Sequence, residues 1–251
     1  MPSVIAAQMY TLRNFLKTPE DIAKSLAKVR QLGYEAVQLS GLGPIDPKEL
    51  AKILKNEGLF VCATHIGLDR MKTAMDAVVE EHKMWGCPYT AIGSFRGATA
   101  QEWMDFIKLY NDLGQKFAAA GLPIGYHNHS HELARYDGKL AMQLLVDGLK
   151  PPTWIEVDTY WITHGGGDPA AWIRNVKGRI PCVHLKDMAI TPKREQLMAE
   201  VGEGNLNWPE ILKACKEAGV KWYIVEQDIC QRDPFESLGI SLKNLKGMGL
   251  N

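Results

Sequence analysis

Eight short apolar or β-branched runs recur along the chain at spacings of roughly 25 to 40 residues, and an amphipathic stretch follows each of them. They are Val4–Gln8, Ala36–Leu39, Val61–His65, Tyr89–Ile92, Pro123–His127, Trp154–Asp158, Ile180–His184 and Trp222–Glu226. A parallel pair of strands needs a long crossover, usually a helix, so this alternation specifies βα units around a parallel sheet. Eight such units close a barrel, and 251 residues accommodate one barrel with little left over. The expectation is an α/β chain forming a single (β/α)8 barrel domain over residues 1–251.

The intervening stretches carry their own punctuation. Pro19 to Leu32 places Ile22, Ala23, Leu26, Ala27 and Val29 at helical spacing and stops at Gly33. The same stop recurs at Gly58, Gly121 and Gly219, where glycine is free to take a left-handed cap before the next strand. Asp168-Pro169 and Asn207-Trp208-Pro209 set a capping side chain beside or near a proline suited to a first helical turn. A doubly wound sheet holding a dinucleotide would need a glycine-rich turn after an early strand. The first run is followed instead by Met9-Tyr10-Thr11-Leu12-Arg13, and no phosphate-loop motif occurs.

Composition excludes several function classes. Lys plus Arg equals Asp plus Glu, 29 against 29, so no net field draws the chain to nucleic acid or to an anionic membrane. The N-terminus lacks a basic stretch followed by an apolar core, and no apolar run approaches the roughly 18 residues of a membrane helix, which reads as cytoplasmic. Five widely spaced cysteines without a Cys-x-x-Cys pair read as reduced, packed thiols.

In such a barrel the C-terminal strand ends and the loops after them form the active face. The apolar bodies of the strands are expected to fill the interior. The fifth run turns polar abruptly, in Tyr126-His127-Asn128-His129-Ser130-His131-Glu132, and period-two alternation sends His127 and His129 to one side. The sixth aligns Glu156 with Asp158, the seventh His184 with Lys186, and the eighth ends at Glu226 with Asp228 beyond it. Asp187 is expected only in a surface salt bridge. Gln8, Gln38 and His65 close or occupy earlier strands and are candidates for substrate contact, with Tyr10, Arg13, Trp161, His164 and Trp208 as rim contacts. Glu132, Asp158, His184 and Glu226, three carboxylates and an imidazole drawn from four successive strand ends, make the donor set a catalytic divalent ion asks for.

These residues, together with Gly166, Asp168-Pro169, Val183-His184-Leu185-Lys186-Asp187, Val201-Gly202-Glu203-Gly204 and Val225-Glu226, resemble the xylose-isomerase-like sugar phosphate isomerase/epimerase superfamily, in its His-Asn-His subgroup. The resemblance spans nearly the whole chain. It implies a TIM barrel with one divalent ion, manganese first, with magnesium, cobalt or zinc as alternatives. The ligands carried over by position are Glu132, Asp158, His184 and Glu226. Many relatives place the first glutamate where this chain has His127, so His127 or His129 stands as an alternative that joins or replaces Glu132. Dimers and tetramers are common in such a family, so a homo-oligomer is a further expectation.

The resemblance implies an isomerase or epimerase acting on an α-hydroxy ketone sugar. Glu132 and Glu226 would transfer the proton through a metal-bound enediolate, and His65, His127, His129 and Lys186 would hold the substrate. A metal-dependent lyase or dehydratase acting on a 3-keto sugar or keto-inositol shares that enediolate and is the runner-up. Two distant readings are a non-catalytic sugar-binding barrel and a three-zinc nuclease that cleaves at abasic sites; the balanced charge speaks against the nuclease.

Overall fold

A computed structural model describes residues 4 to 250. Residues 1–3, on which the leader reading partly rests, and residue 251 lie outside the described residues. Eight parallel strands close into a barrel: β1 (Ile5–Gln8), β2 (Ala36–Leu39), β3 (Phe60–His65), β4 (Thr90–Ile92), β5 (Ile124–His127), β6 (Trp154–Asp158), β7 (Cys182–Leu185) and β8 (Trp222–Val225). Strand β8 returns to β1 in parallel register, Ile5 beside Tyr223 and Ala7 beside Val225. The seventh strand begins later than the apolar run proposes, at Cys182, since Pro181 has no N–H for the ladder.

Helices follow the strands with the expected signals. Thr18 accepts from the Asp21 amide at the head of Pro19–Gln31, and Asp168 caps Pro169–Asn175. Gly58 and Gly219 take left-handed caps, and Gly33 and Gly121 also have positive φ. Two antiparallel hairpins extend the loops, one pairing Arg135–Tyr136 with Lys139–Leu140 and the other pairing Asp187–Ile190 with Gln196–Ala199. Among the described residues no helix is long and apolar enough to cross a membrane.

Strand alternation sorts the side chains. Val37, Val61, Ile155, Val157, Val183, Leu185 and Val225 belong to the large core beneath the helices. Ala6, Ala36, Cys62, Trp154, Cys182 and Ile224 form a separate small cluster that fills the lower barrel. Trp154 occupies that floor because its neighbour on β5 is Gly125, where a Cβ would stand 2.4 Å from the indole. The expectation of an apolar interior stops at this layer. One step higher, Gln8, Gln38 and Glu156 are wholly buried and linked in a row, Gln8 Nε2 donating to Gln38 Oε1 at 2.6 Å and Gln38 Nε2 donating to Glu156 Oε1 at 2.9 Å. Gln8 and Gln38, expected as substrate contacts, are therefore interior groups whose work is to orient the layer above.

Candidate active site

The layer above is assembled from the ends of β5 to β8. Asp158 ends β6 and caps the helix Thr159–His164, its Oδ1 accepting from the Trp161 amide at 2.9 Å. That bond turns Oδ2 toward the barrel axis, 3.2 Å from His127 Nε2 and 3.6 Å from His184 Nδ1. His184 Nδ1 is also 2.8 Å from Glu226 Oε2. One donor atom from each of His127, Asp158, His184 and Glu226 lies within 4.8 Å of all the others, and all four residues are buried.

Hydrogen bonds behind the cluster decide which ring nitrogens face it. His127 Nδ1 donates to the Gly93 carbonyl at 2.9 Å, so a neutral ring presents the Nε2 lone pair to Asp158. Glu156 can only accept, which turns the Gln38 amide nitrogen toward it and the amide oxygen toward His184 Nε2 at 2.5 Å. His184 therefore donates from Nε2 and presents the Nδ1 lone pair to Glu226 and Asp158. His184 Nδ1 and Glu226 Oε2 are both buried and without a well-aligned hydrogen bond; they face each other at 2.8 Å, and the Lys186 ammonium stands 2.8 Å from Oε2 as an ion pair. Four lone-pair donors meeting at one point need a cation or protons between them. Around a divalent ion with ligand bonds of about 2.1 Å, neighbouring donors stand about 3.0–3.4 Å apart, close to the separations seen here. The residues present thus fit a metal ion, with carbonyl and amide partners behind the imidazoles of the kind that orient metal-binding histidines.

Lys186 complements the cluster. Its ammonium lies 3.1 Å from Asp158 Oδ2, 2.8 Å from Glu226 Oε2 and 2.7 Å from Asp228 Oδ2, with only 1% of its side chain exposed. Burial alone would raise the Asp158 and Glu226 carboxyls, but the Lys186 charge and their histidine neighbours hold both below the usual carboxylate range. Burial would lower His184, yet the charges of Glu156 and Glu226 raise it to about 10, so in the metal-free protein a proton takes the place that an ion would claim. Glu156 is raised by burial and lowered further by His184 and His65, to about 2. Burial, with the nearby His127 and Lys186 charges, brings His129 down to about 2.

The remaining expected site residues fall in different places. His65 closes β3 with Nε2 2.6 Å from Glu156 Oε2, its ring packed beside those of His127 and His184. His129 packs against His127 and Trp161, and both His129 Nδ1 and Trp161 Nε1 are buried without a hydrogen-bond partner. Glu132 is not brought into the cluster. It lies on the short helical turn His131–Leu133, where Oε1 accepts from the Tyr126 hydroxyl at 2.7 Å and Oε2 from the His129 amide at 2.9 Å. His131 Nε2 adds a contact at 3.3 Å, and burial raises the carboxyl. Its hydrogen bonds pin the turn, and His127, one of the two alternatives that the family resemblance left open, occupies the position beside Asp158.

Asp187 departs furthest from expectation. It is buried rather than on the surface, and its carboxylate accepts from the amides of Met188, Gly202, Gly204 and Leu206 and from Trp208 Nε1. A Cβ on Gly204 would stand 2.3 Å from Asp187 Oδ1, so the glycine is what lets the backbone wrap the charge. The Gly202-Glu203-Gly204 segment is the sequence signal for this anchor, and Trp208 is a partner of it rather than a rim contact.

Residues 26–246 match the profile of the xylose isomerase-like TIM barrel. The chain belongs to that family. A curated relative, the rhizopine catabolism protein MocC of Rhizobium meliloti, is 24% identical over 270 residues, covering 90% of this chain and 81% of its own length. Among solved structures of the fold, a sugar phosphate isomerase/epimerase from Parabacteroides distasonis superposes with a TM-score of 0.82 at 23% identity, covering 98% of this chain and 94% of its own. A probable 3-DHS dehydratase, AsbF of Bacillus anthracis, superposes with a TM-score of 0.72 at 14% identity, covering 96% and 98%.

Proposed function

We propose that this chain is a divalent-metal-dependent isomerase or epimerase of an α-hydroxy ketone sugar or sugar derivative, with His127, Asp158, His184 and Glu226 as the metal ligands. The observation that carries the reading is the meeting of four buried donor atoms, one from each of these residues, within 4.8 Å of one another. Two imidazoles and two carboxylates favour manganese, cobalt or zinc over magnesium, which prefers oxygen. An ion held there polarises a carbonyl and lowers the cost of the developing enediolate charge.

The protein's own groups carry the proton. Glu226, kept ionised by Lys186 and His184, removes the hydrogen next to the carbonyl. His129 stands on the β5 side with Nδ1 unpartnered and, held neutral by burial, accepts from a substrate hydroxyl, while the Trp161 indole N–H meets another; Glu226, protonated once it has removed the hydrogen, returns it to the neighbouring carbon. Glu132, whose oxygens are already engaged by Tyr126 and the His129 amide, positions His129 rather than acting as the base.

A lyase or dehydratase is the second reading, favoured by the Lys186–Asp228 pair. Lys186 Nζ donates to Asp228 at 2.7 Å beside the base, and burial and the neighbouring Glu226 charge raise the Asp228 carboxyl, which makes it the group of the pair that would hold a proton for a departing hydroxyl.

The test is incorporation of solvent deuterium into a panel of ketoses, keto-inositols and 3-keto-glycosides with manganese added, alongside metal analysis after dialysis against chelator and reloading. Exchange on at least one class, one ion per chain, and loss of exchange in a folded Glu226→Gln variant are expected. Exchange at the normal rate in that variant removes Glu226 as the base, and failure to retain any ion removes the whole reading.

A further inference from the structure

A cavity of about 290 Å³ opens beside the mouth, between the loop after β2 and the helices Leu68–Thr73 and Met75–Trp85. His65, whose ring packs against those of His127 and His184, lines it at one end. Arg70, Glu81 and Trp85 line it at the other, with Ser40 and the loop through Ile45 as a wall. That wall is held rigidly. Gly43 donates to the Leu16 carbonyl at 2.7 Å, and a Cβ there would stand 2.3 Å from the Lys17 carbonyl oxygen.

The polar end is incompletely satisfied in a specific way. Arg70 Nη2 donates to Glu81 Oε1, and among the described residues the rest of its partly exposed guanidinium has no further acceptor. Glu81 Oε2 is buried and has no hydrogen-bond partner. A buried carboxylate oxygen without a donor is costly unless a ligand or water supplies one. The half-buried Trp85, fixed by its indole N–H donating to the Pro47 carbonyl at 3.0 Å, adds an aromatic surface.

We infer that this cavity is a second substrate subsite, one that takes a neutral hydroxylated group about the size of a sugar ring. A hydroxyl donates to Glu81 Oε2, a neighbouring oxygen accepts from Arg70, and the ring's C–H face lies on Trp85. A phosphate is the wrong chemistry here, because the unpartnered Glu81 oxygen repels an anion and the Arg70 charge is already paired. The inference rests on the sugar-processing reading of the metal site and deepens it: the natural substrate is a glycoside or a comparably long polyol rather than a free monosaccharide or a sugar phosphate.

Saturation-transfer NMR on zinc-loaded protein tests this with cellobiose, trehalose, glucose and glucose 6-phosphate as probes. At least one disaccharide is expected to bind more tightly than glucose, and glucose 6-phosphate no more tightly than glucose. Glu81→Gln and Arg70→Met, both at partly exposed helix positions, are each expected to weaken disaccharide binding about tenfold, the loss of one good hydrogen bond to a charged group. Deuterium exchange on the ketose panel is read separately from disaccharide binding, so failure of the subsite and failure of the chemistry give different results. No transfer from either disaccharide, binding unchanged in both subsite variants, or preferential binding of glucose 6-phosphate would overturn the subsite while leaving the exchange result standing.

Discussion

His127→Ala and Glu132→Gln, compared in one metal titration, test how the site is built. His127 supplies one of the four clustered donors, and its ring is already oriented by the Gly93 carbonyl, so the protein spends little further entropy to use it. Removing an outer-shell partner of a metal ligand weakens binding by about 10–100-fold. Deleting a donor itself should reach at least the upper figure, about 2.7 kcal/mol. Glu132 makes no contact with the other donors; its oxygens accept from Tyr126 and the His129 amide. In Glu132→Gln the new amide N–H2 must face one of those donors, and an unsatisfied buried donor costs about 1–3 kcal/mol. That cost falls on folding, with metal affinity changed less than about tenfold. Competition against a chromophoric chelator gives both affinities, urea unfolding gives both stabilities, and the visible spectrum of the cobalt form reports coordination. A larger loss of affinity in Glu132→Gln than in His127→Ala would refute the assignment of His127 as the fourth ligand.

Two further outcomes follow from the barrel and its surroundings. Gly125→Ala would bring a Cβ to 2.4 Å from the Trp154 indole and displace it from the Pro123 carbonyl to which its N–H donates; a destabilisation of about 1–3 kcal/mol by urea unfolding is expected, and an unchanged midpoint would contradict the close approach. His82 is buried between Thr64 and the Val78 carbonyl, and burial lowers it to about 4. Because its folded value lies below its unfolded one, the stability it contributes is present above about pH 6.5 and is lost as pH falls toward 4, by about 3 kcal/mol in all; an NMR titration showing His82 protonating near pH 6.5 in the folded protein would disprove this.

The βα rhythm, the glycine stops and the strand-end acids were legible because each depends on neighbours close along the chain. Period-two alternation alone aims Glu156 with Asp158 and His184 with Lys186, and the helix beginning at Thr159 needs a cap that Asp158 supplies. The direction of Glu132 was not legible, because it depends on a turn whose geometry is set by the Tyr126 hydroxyl and the His129 amide, both of which donate to its carboxylate. Asp187 looked like surface charge for a similar reason: its partners lie 15 to 21 residues further on, at Gly202, Gly204, Leu206 and Trp208.

By itself, the order of residues determined the barrel, the face on which the polar cluster stands and three of the four clustered donors, since local periodicity and caps dictate which side chains reach a strand's end. Tertiary structure decided the fourth donor, the tautomers of both imidazoles through Gly93 and Gln38, and the polar floor formed by Gln8, Gln38 and Glu156. Each of those choices is a hydrogen bond between groups about 30 to 150 residues apart, and a lone pair's direction exists only once both partners are in place.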